Sequence, residues 1–284
     1  MQTPKLGLLA VASLIALSAC GENGDASKAK DLDPVNVVDA SDLNDIMLTV
    51  ADPNEAVDYF QGSLQKEPKR IEFRRGLAKS LVRAKRATEA VPVFEKLIAH
   101  KDSTDQDRID FADALIRTND WKAAAKQLNT VPPTVETYQR YRLEAMIADS
   151  EKKWKKADSF YEIAAGLTTK PAKVMNNWGY SKLSRGDYKG AERLFIQAIT
   201  QDRKLFTAKN NLVLARAAQK NYALPVIPMT EEEKAQLLYT AGLSAVKQGD
   251  KDVGRGLFQD AIDTHPRHFE DAVRSLDALN RNTG

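Results

Sequence analysis

Alanine recurs along this chain with the spacing of a repeated helical hairpin. Five alanines stand 34, 34, 33 and 34 residues apart: Ala56, Ala90, Ala124, Ala157 and Ala191. A large apolar residue follows each of them by four positions: Phe60, Phe94, Leu128, Tyr161 and Phe195. Residues four apart lie on the same face of an α-helix. A single unit of this length cannot bury such a face by itself, so the pattern predicts a stack of repeated helical units.

The clearest unit runs from Ala172 to Arg203. Its apolar residues follow the helical period on both sides of a turn at Gly186. The residues that carry this pattern are Met175, Trp178, Gly179, Ala191, Leu194, Phe195, Ala198 and Ile199. The small side chains at Gly179, Ala191 and Ala198 predict that two antiparallel helices approach each other closely there.

The order of these residues resembles the tetratricopeptide repeat (TPR), a 34-residue helix–turn–helix unit. With Ala172 as position 1, the small positions 8 and 20 are Gly179 and Ala191, and the aromatic position 24 is Phe195. Arg203 replaces the proline that is usual at position 32. Aromatic residues recur at position 17, where we expect them to pack: Trp121, Trp154, Tyr188 and Tyr222. The resemblance implies an all-α fold, a right-handed TPR solenoid of antiparallel helix pairs with a C-terminal capping helix.

The predicted solenoid covers residues 37–282. Its units are expected near 37–70, 71–104, 105–137, 138–171 and 172–205, then an interrupted unit at 206–234, a unit at 235–268 and a cap at 269–282. The interruption lies at Ala223 to Pro228, where two prolines exclude a regular helix. We expect an extended segment there. Two roles stay open for it: packing of Leu224, Val226 and Ile227 against the stack, or binding of a partner.

The N-terminus has the pattern of an exported lipoprotein. Lys5 precedes an apolar run at residues 6–16, which is shorter than the roughly 20 residues that span a bilayer. The run ends in Leu17-Ser18-Ala19-Cys20, which resembles the lipobox of bacterial lipoproteins. The resemblance implies removal of residues 1–19, acylation of Cys20, a flexible tether at 20–36 and, because Gly21 rather than Asp follows, the outer membrane. The alternative is an ordinary signal peptide with an incidental cysteine.

No catalytic motif is recognisable in the sequence. Serine-hydrolase, phosphate-loop and zinc-protease patterns are absent, and Cys20 is the one cysteine, so an intrachain disulfide is excluded. We therefore expect no enzymatic activity, no cofactor and no metal site. Lysine and arginine number 42 against 39 acidic residues, and a net charge of +3 does not predict nucleic-acid binding.

Recognition of a protein partner is the function that remains. In TPR proteins the first helix of each repeat lines a concave groove, mainly through positions 2, 5, 6, 9, 12 and 13. The resemblance places a basic half of this groove at Arg75, Lys79, Arg83, Arg117 and Arg142. It places an amide and apolar half at Asn176, Asn177, Tyr180, Asn210, Asn211 and Leu214. Arginines favour carboxylates, and asparagines both donate to and accept from a peptide backbone. The alternative is that these side chains only solvate an open surface.

The run Met175-Asn176-Asn177-Trp178-Gly179-Tyr180, followed by Arg185-Gly186-Asp187-Tyr188, resembles the TadD family. TadD proteins are TPR lipoproteins of the tight-adherence (Flp) pilus assembly system. The resemblance implies a lipid-anchored scaffold on the periplasmic face of the outer membrane, which assists the pilus or its secretin. Two alternatives stay open: a pilotin-like or barrel-assembly TPR lipoprotein, and an accessory domain of an enzyme.

Overall fold

The computed structural model describes residues 36–281, with side chains from Leu43 onward. The predicted signal peptide, Cys20 and the tether up to residue 35 lie outside the described residues. The chain divides into two units, residues 1–43 and 44–284, and only the beginning of helix α1 is described in the first.

The described part of the chain consists of fourteen α-helices joined by turns and loops, without a β-strand. The helices are α1 (Asn36–Thr49), α2 (Pro53–Lys66), α3 (Ile71–Arg83), α4 (Ala87–Ile98), α5 (Asp105–Arg117), α6 (Trp121–Leu128), α7 (Tyr138–Ser150), α8 (Trp154–Gly166), α9 (Ala172–Ser184), α10 (Tyr188–Gln201), α11 (Phe206–Ala217), α12 (Glu231–Lys247), α13 (Lys251–Thr264) and α14 (Glu270–Arg281). The all-α fold predicted from the sequence is confirmed.

The turn between the two helices of a unit has the same backbone from repeat to repeat. A residue with a positive φ, between 57° and 88°, stands at position 15 of six successive units: Lys85, Asn119, Lys152, Gly186, Lys220 and Gly249. This left-handed conformation ends the helix, because the N–H of the next residue then donates to a carbonyl of the last helical turn, as from Arg86 to Leu81. Glycine adopts the conformation without strain. Lys220 makes the same turn in the interrupted unit. That unit therefore departs from the repeat only after the turn, where its second helix is missing.

The core is built from the periodic alanines and their apolar partners. All five position-20 alanines are completely buried, and the five residues at position 24 are at most 2% exposed. Gly179 lies against Phe195, where an added Cβ atom would come within 2.6 Å of the ring, and Gly242 faces Phe258 at the same distance. The close helix approach predicted at Gly179 and Ala191 is therefore confirmed, because no larger side chain fits between these helices.

The interrupted unit has a first helix, α11, and no second helix. Residues 221–229 take its place, with Pro225 buried and with Leu224 and Ile227 packed against neighbouring apolar clusters. Val226 is fully exposed, so the packing role left open for Leu224, Val226 and Ile227 applies to Leu224 and Ile227 but not to Val226. The chain is not extended at this point: the Ile227 N–H donates to the Pro225 carbonyl across 3.0 Å, and the tight turn leaves Val226 at its exposed tip.

An ion pair joins the helices on either side of the interruption. Nζ of Lys209 on α11 lies 2.7 Å from Oε2 of Glu233 on α12, and the lysine side chain is only 3% exposed. Glu233 also closes a capping box with Thr230 at the start of α12. Burial raises the pKa of Glu233, but the bonds from Lys209 and from the Thr230 backbone outweigh it, so the pKa is below its usual value.

Helix α14 covers the end of the stack. Ala272 is completely buried against Leu238 and Ala261, and the Tyr239 hydroxyl lies 3.2 Å from the Ser275 hydroxyl. A terminal helix of this kind shields the last apolar face of a repeat array from water.

Candidate functional site

The five cations assigned to the basic half of the groove all lie against acceptors of neighbouring helices or of their own helix. Three carboxylates on α5, spaced three residues apart, provide most of them: Asp107, Asp110 and Asp113. Nε of Arg75 lies 2.6 Å from Asp107, and Nζ of Lys79 lies 3.2 Å from Asp110. The row of carboxylates thus neutralises a row of positive charge on α3.

Asp113 is shared by two arginines. Nε of Arg117 lies 2.7 Å from one of its oxygens, and Nη2 of Arg142 on α7 lies 3.0 Å from the other. Arg83 is held differently, since its guanidinium donates to the backbone carbonyls of Met47 and Ala51 at the end of α1. The expected positive field of this half is therefore largely offset inside the molecule. A role of these cations in binding a ligand stays a prediction.

The Arg75–Asp107 pair is the most buried of these contacts. The Asp107 side chain is 1% exposed and closes a capping box with Thr104 at the start of α5. Burial raises the pKa of Asp107, but the hydrogen bonds from Arg75 and Thr104 outweigh it, so the pKa lies below its ordinary value. The bond to Asp107 raises the pKa of Arg75. This contact braces first helices of successive repeats.

The basic residues also line two cavities. Lys79 and Arg83 line one of about 830 Å³ together with Asp110 and Asp113. Arg117 and Arg142 line another of about 820 Å³, which Lys170, Lys173 and Asp202 also reach.

The amide half of the groove forms a third cavity of about 500 Å³ between first helices of successive repeats. Four of the six residues assigned to this half line it: Asn176, Asn177, Tyr180 and Asn211. The other lining residues are Trp121, Met146, Asp149, Ser150, Tyr161, Ser181, Ser184 and Thr207. We call this space the amide cavity. Asn210 lies outside it and accepts from the Thr240 hydroxyl, and Leu214 is half-buried elsewhere on α11.

The two asparagine pairs stand 34 residues apart, at equivalent repeat positions, but the structure does not present them as two equivalent, solvent-facing pairs. Nδ2 of Asn211 donates to Oδ1 of Asn176 across 3.0 Å, and both residues are buried. Asn177 makes only a weak contact, 3.7 Å from its Nδ2 to the Met146 sulfur. The pairs are not equivalent because α9 and α11 are offset, so that position 5 of one helix meets position 6 of the next.

This arrangement leaves hydrogen-bonding capacity at the cavity wall. The bond between the two side chains uses Asn211 Nδ2 and Asn176 Oδ1. Across residues 36–281, neither the Asn176 Nδ2 nor the Asn211 Oδ1 has a hydrogen-bond partner. A side-chain amide can form up to four hydrogen bonds. One free donor and one free acceptor, side by side, match the alternation of C=O and N–H groups along an extended peptide.

Asp149, on α7, is a functional candidate that the sequence reasoning missed. Its carboxylate accepts from the Tyr161 hydroxyl at 2.9 Å and from the Ser181 hydroxyl at 2.7 Å, and it lines the amide cavity. Burial raises the pKa of Asp149 above its ordinary value despite these bonds. A signal was available, because Asp149 stands at position 12 of the unit 138–171, one of the positions expected to line the groove.

A second network that was missed joins α8 to α9. Asp158 accepts from Nε1 of Trp178 at 2.6 Å and lies 2.6 Å from Nη2 of Arg185 and 3.2 Å from Nζ of Lys182. Burial raises the pKa of Asp158, but these three donors outweigh it and the pKa is below its usual value. The three donors of α9 and its end all contact this one carboxylate of α8. The network therefore braces two successive repeats against each other.

The described part of the chain contains no cluster of three or more His, Cys, Asp or Glu side chains with metal-binding geometry. Between residues 36 and 281 no helix combines the length and the apolar character required to cross a membrane.

Two segments match the sequence profile of the tetratricopeptide repeat, residues 48–106 and residues 236–268. No curated protein sequence matches the chain.

Solved structures share the fold at low identity. A chain of the APC/C hetero-tetramer Cut9–Hcn1 aligns with a TM-score of 0.61 and 14% identity, over 87% of this chain and 50% of that one. A tetratricopeptide repeat protein from Parabacteroides merdae aligns with a TM-score of 0.56 and 13% identity, over 85% of this chain and 98% of that one. A chain of the human IFIT1 dimer with PPP-AAAA aligns with a TM-score of 0.58 and 14% identity, over 81% of this chain and 60% of that one. The chain thus spans half of the length of the first of these relatives.

The fold and the two matched segments support a TPR protein, an all-helical scaffold of a kind that generally binds protein partners.

Proposed function

We propose that this protein is a non-enzymatic scaffold lipoprotein, anchored through Cys20 in the outer membrane and facing the periplasm. In this proposal it assists assembly of a tight-adherence (Flp) pilus or its secretin by holding an extended segment of a partner. The lipobox-like Leu17–Cys20 and the TadD-like run from Met175 to Tyr180 support the cellular setting. The TPR fold supports the mode of action.

The observation that carries the binding role is the amide cavity. Its volume of about 500 Å³ is large enough for one or two side chains of a peptide. The free donor of Asn176 and the free acceptor of Asn211 provide contacts that are indifferent to sequence, since every peptide group has both partners. Each such bond contributes only about 0.5–1.5 kcal/mol, because it replaces bonds to water.

Apolar contacts must therefore supply much of the affinity. Tyr180 is 57% exposed at the cavity, and Met146 and Trp121 form part of its wall. Aromatic and methionine side chains are enriched at the centres of protein interfaces. A partner side chain placed between them would bury apolar surface next to the amide contacts.

Site-specific photocrosslinking in the native membrane tests the proposal. A benzoylphenylalanine at Tyr180 should crosslink to a secretin or another pilus-assembly protein. The same group at Ile196 is the matched control, because Ile196 is 48% exposed but lies on a second helix, α10, outside the cavity. The Tyr180 product should weaken when Asn177→Ala is added.

Three results would count against the proposal. Equal products at both positions would remove the cavity as the binding site. A crosslinked product with a barrel-assembly protein would show that the scaffold serves outer-membrane barrel assembly and not pilus assembly. The absence of any product specific to Tyr180 would contradict partner binding at this face.

A further inference from the structure

Asp149 differs from five other carboxylates that lie between helices of this fold. Five such carboxylates each have a lysine or arginine nitrogen within 3.2 Å: Asp107, Asp110, Asp113, Asp158 and Glu233. Asp149 has only the hydroxyls of Tyr161 and Ser181. Within residues 36–281 it forms no ion pair, although burial makes an uncompensated carboxylate costly.

The carboxylate retains capacity for a further donor. Tyr161 occupies one lone-pair position on Oδ2 and Ser181 one on Oδ1, and each oxygen offers a second. Asp149 lines the amide cavity and is only partly buried, so a group that enters the cavity can reach it.

The cavity wall offers no positive charge to fill that position. Apart from Asp149, its lining residues are aromatic, amide, hydroxyl and methionine side chains. Arg185 acts electrostatically on Asp149, and Arg142 acts on its partner Tyr161, but both arginines are engaged elsewhere. Nη2 of Arg185 lies 2.6 Å from Asp158, and Nη2 of Arg142 lies 3.0 Å from Asp113. The cavity is therefore a largely neutral space with one negative charge.

The remaining walls suit the body of a long basic side chain. Trp121, Tyr180 and Met146 present apolar surface that can cover an aliphatic stem. Aromatic faces also attract a cation directly, by about 0.5–2 kcal/mol depending on its desolvation. Asn177 supplies an amide oxygen at the same cavity.

We propose that the amide cavity selects a lysine or arginine side chain in the bound partner segment, with Asp149 accepting from its charged head group. This inference rests on the proposed function, because it names the partner chemistry of the same face. A cation bound there would offset the burial that raises the pKa of Asp149.

Retention of peptide pools on the immobilised full-length protein tests the selection. Each pool contains heptapeptides with randomised flanks and one fixed central residue: lysine, Nε-acetyl-lysine or glutamate. Acetylation keeps the length of the side chain and removes its charge. The lysine pool should be retained about 10- to 100-fold better than the acetyl-lysine pool, the value of one hydrogen bond to a charged group.

Asp149→Asn should abolish this preference, and its melting curve reports whether the variant is folded. Asp252→Asn is the matched control, because Asp252 is 95% exposed and outside the cavity, and the preference should persist. The comparison of lysine with acetyl-lysine on the unaltered protein needs no variant and decides the question even if Asp149→Asn does not fold.

The outcomes separate this inference from the proposed function. Pools that are retained equally, but lost with Asn177→Ala, would overturn the selection of a basic side chain and leave peptide binding intact. A folded Asp149→Asn protein that still prefers lysine would also overturn it. Retention of no pool would contradict both proposals.

Discussion

Asn211 on α11 donates its side-chain amide to Oδ1 of Asn176 on α9 across 3.0 Å, in the wall of the amide cavity. The bond joins first helices of successive repeats, and both residues are buried. The same side chains thus brace the stack and present one free donor and one free acceptor to the cavity. A substitution at either position should affect stability as well as binding.

Asn211→Ala should lower the free energy of unfolding by roughly 1–3 kcal/mol, because it leaves Oδ1 of Asn176 without its donor in a buried position. Asn177→Ala is the matched comparison at the same cavity, and it should change stability much less, since Asn177 has only a weak contact with Met146. Urea unfolding measures both. Equal losses would show that the Asn176–Asn211 bond does not brace the helices.

Ala191→Trp should lower stability by about 1–3 kcal/mol through overpacking, because Ala191 is completely buried between α9 and α10. Lys189→Trp, two residues earlier on the exposed side of α10, should be nearly neutral. Thermal unfolding followed by circular dichroism compares the two. A tolerated tryptophan at position 191 would contradict the tight packing at position 20 of the repeat.

The core of this fold was predictable because it depends on side-chain size at a fixed period. Ala191 and Phe195 belong to one helix, four residues apart, and the sequence displays that relation directly. The left-handed turn at Gly186 was visible as a glycine. The same turn at Lys152 and Lys220 was not, because lysine gives no local sign of a positive φ.

The partners of the groove residues were not predictable in the same way. Arg75 and Asp107 belong to different repeats and meet through the offset between α3 and α5, which a list of repeat positions does not contain. Asn176 and Asn211 meet through a similar offset. An expected open surface of cations and amides is thus partly a set of contacts between repeats. Asp149 lies at this surface with hydroxyl donors in place of a cation.

Acidification should destabilise the protein through its paired carboxylates. The pKa of Asp107 is below its ordinary value when folded, so its contribution is present above the unfolded pKa of about 4 and is lost as the pH falls through the folded pKa. The pKa values of Asp158 and Glu233 are also below their ordinary values in the folded protein. Urea unfolding at pH 7, 5, 4 and 3 should therefore show a loss of stability that is concentrated below about pH 4.

Asp107→Asn should be less stable than the unaltered protein at pH 7 and should lose less stability on acidification, because one of the responsible groups is gone. Asp252→Asn, at an exposed position, should follow the unaltered protein at every pH. An acid dependence that is identical in Asp107→Asn and in the unaltered protein would exclude the Arg75–Asp107 pair as a cause.

Cys20→Ser should release the protein from membranes or leave it unprocessed, because the proposed anchor is the acylated cysteine. Ser27→Ala, in the predicted tether, should remain in the membrane fraction. Fractionation followed by mass spectrometry of the N-terminal peptide measures both position and modification. A mature N-terminus at Cys20 without acyl chains would refute the anchor and, with it, the proposed attachment to the outer membrane.

The segment around Val226 can be divided experimentally into its packed and its exposed side chains. Leu224 is half-buried against two apolar clusters, so Leu224→Ala should cost roughly 1–2 kcal/mol of stability, less than full burial of a leucine is worth. Val226 is fully exposed between Pro225 and Pro228, so Val226→Asp should change stability by no more than about 0.5 kcal/mol.

Crosslinking of a partner in the membrane, measured beside a melting curve, then separates the two roles left open for this segment. Loss of crosslinking with Val226→Asp at unchanged stability would assign the segment to the binding surface. Unchanged crosslinking with Val226→Asp, together with the stability loss in Leu224→Ala, would leave it the role of closing the stack where a second helix is missing.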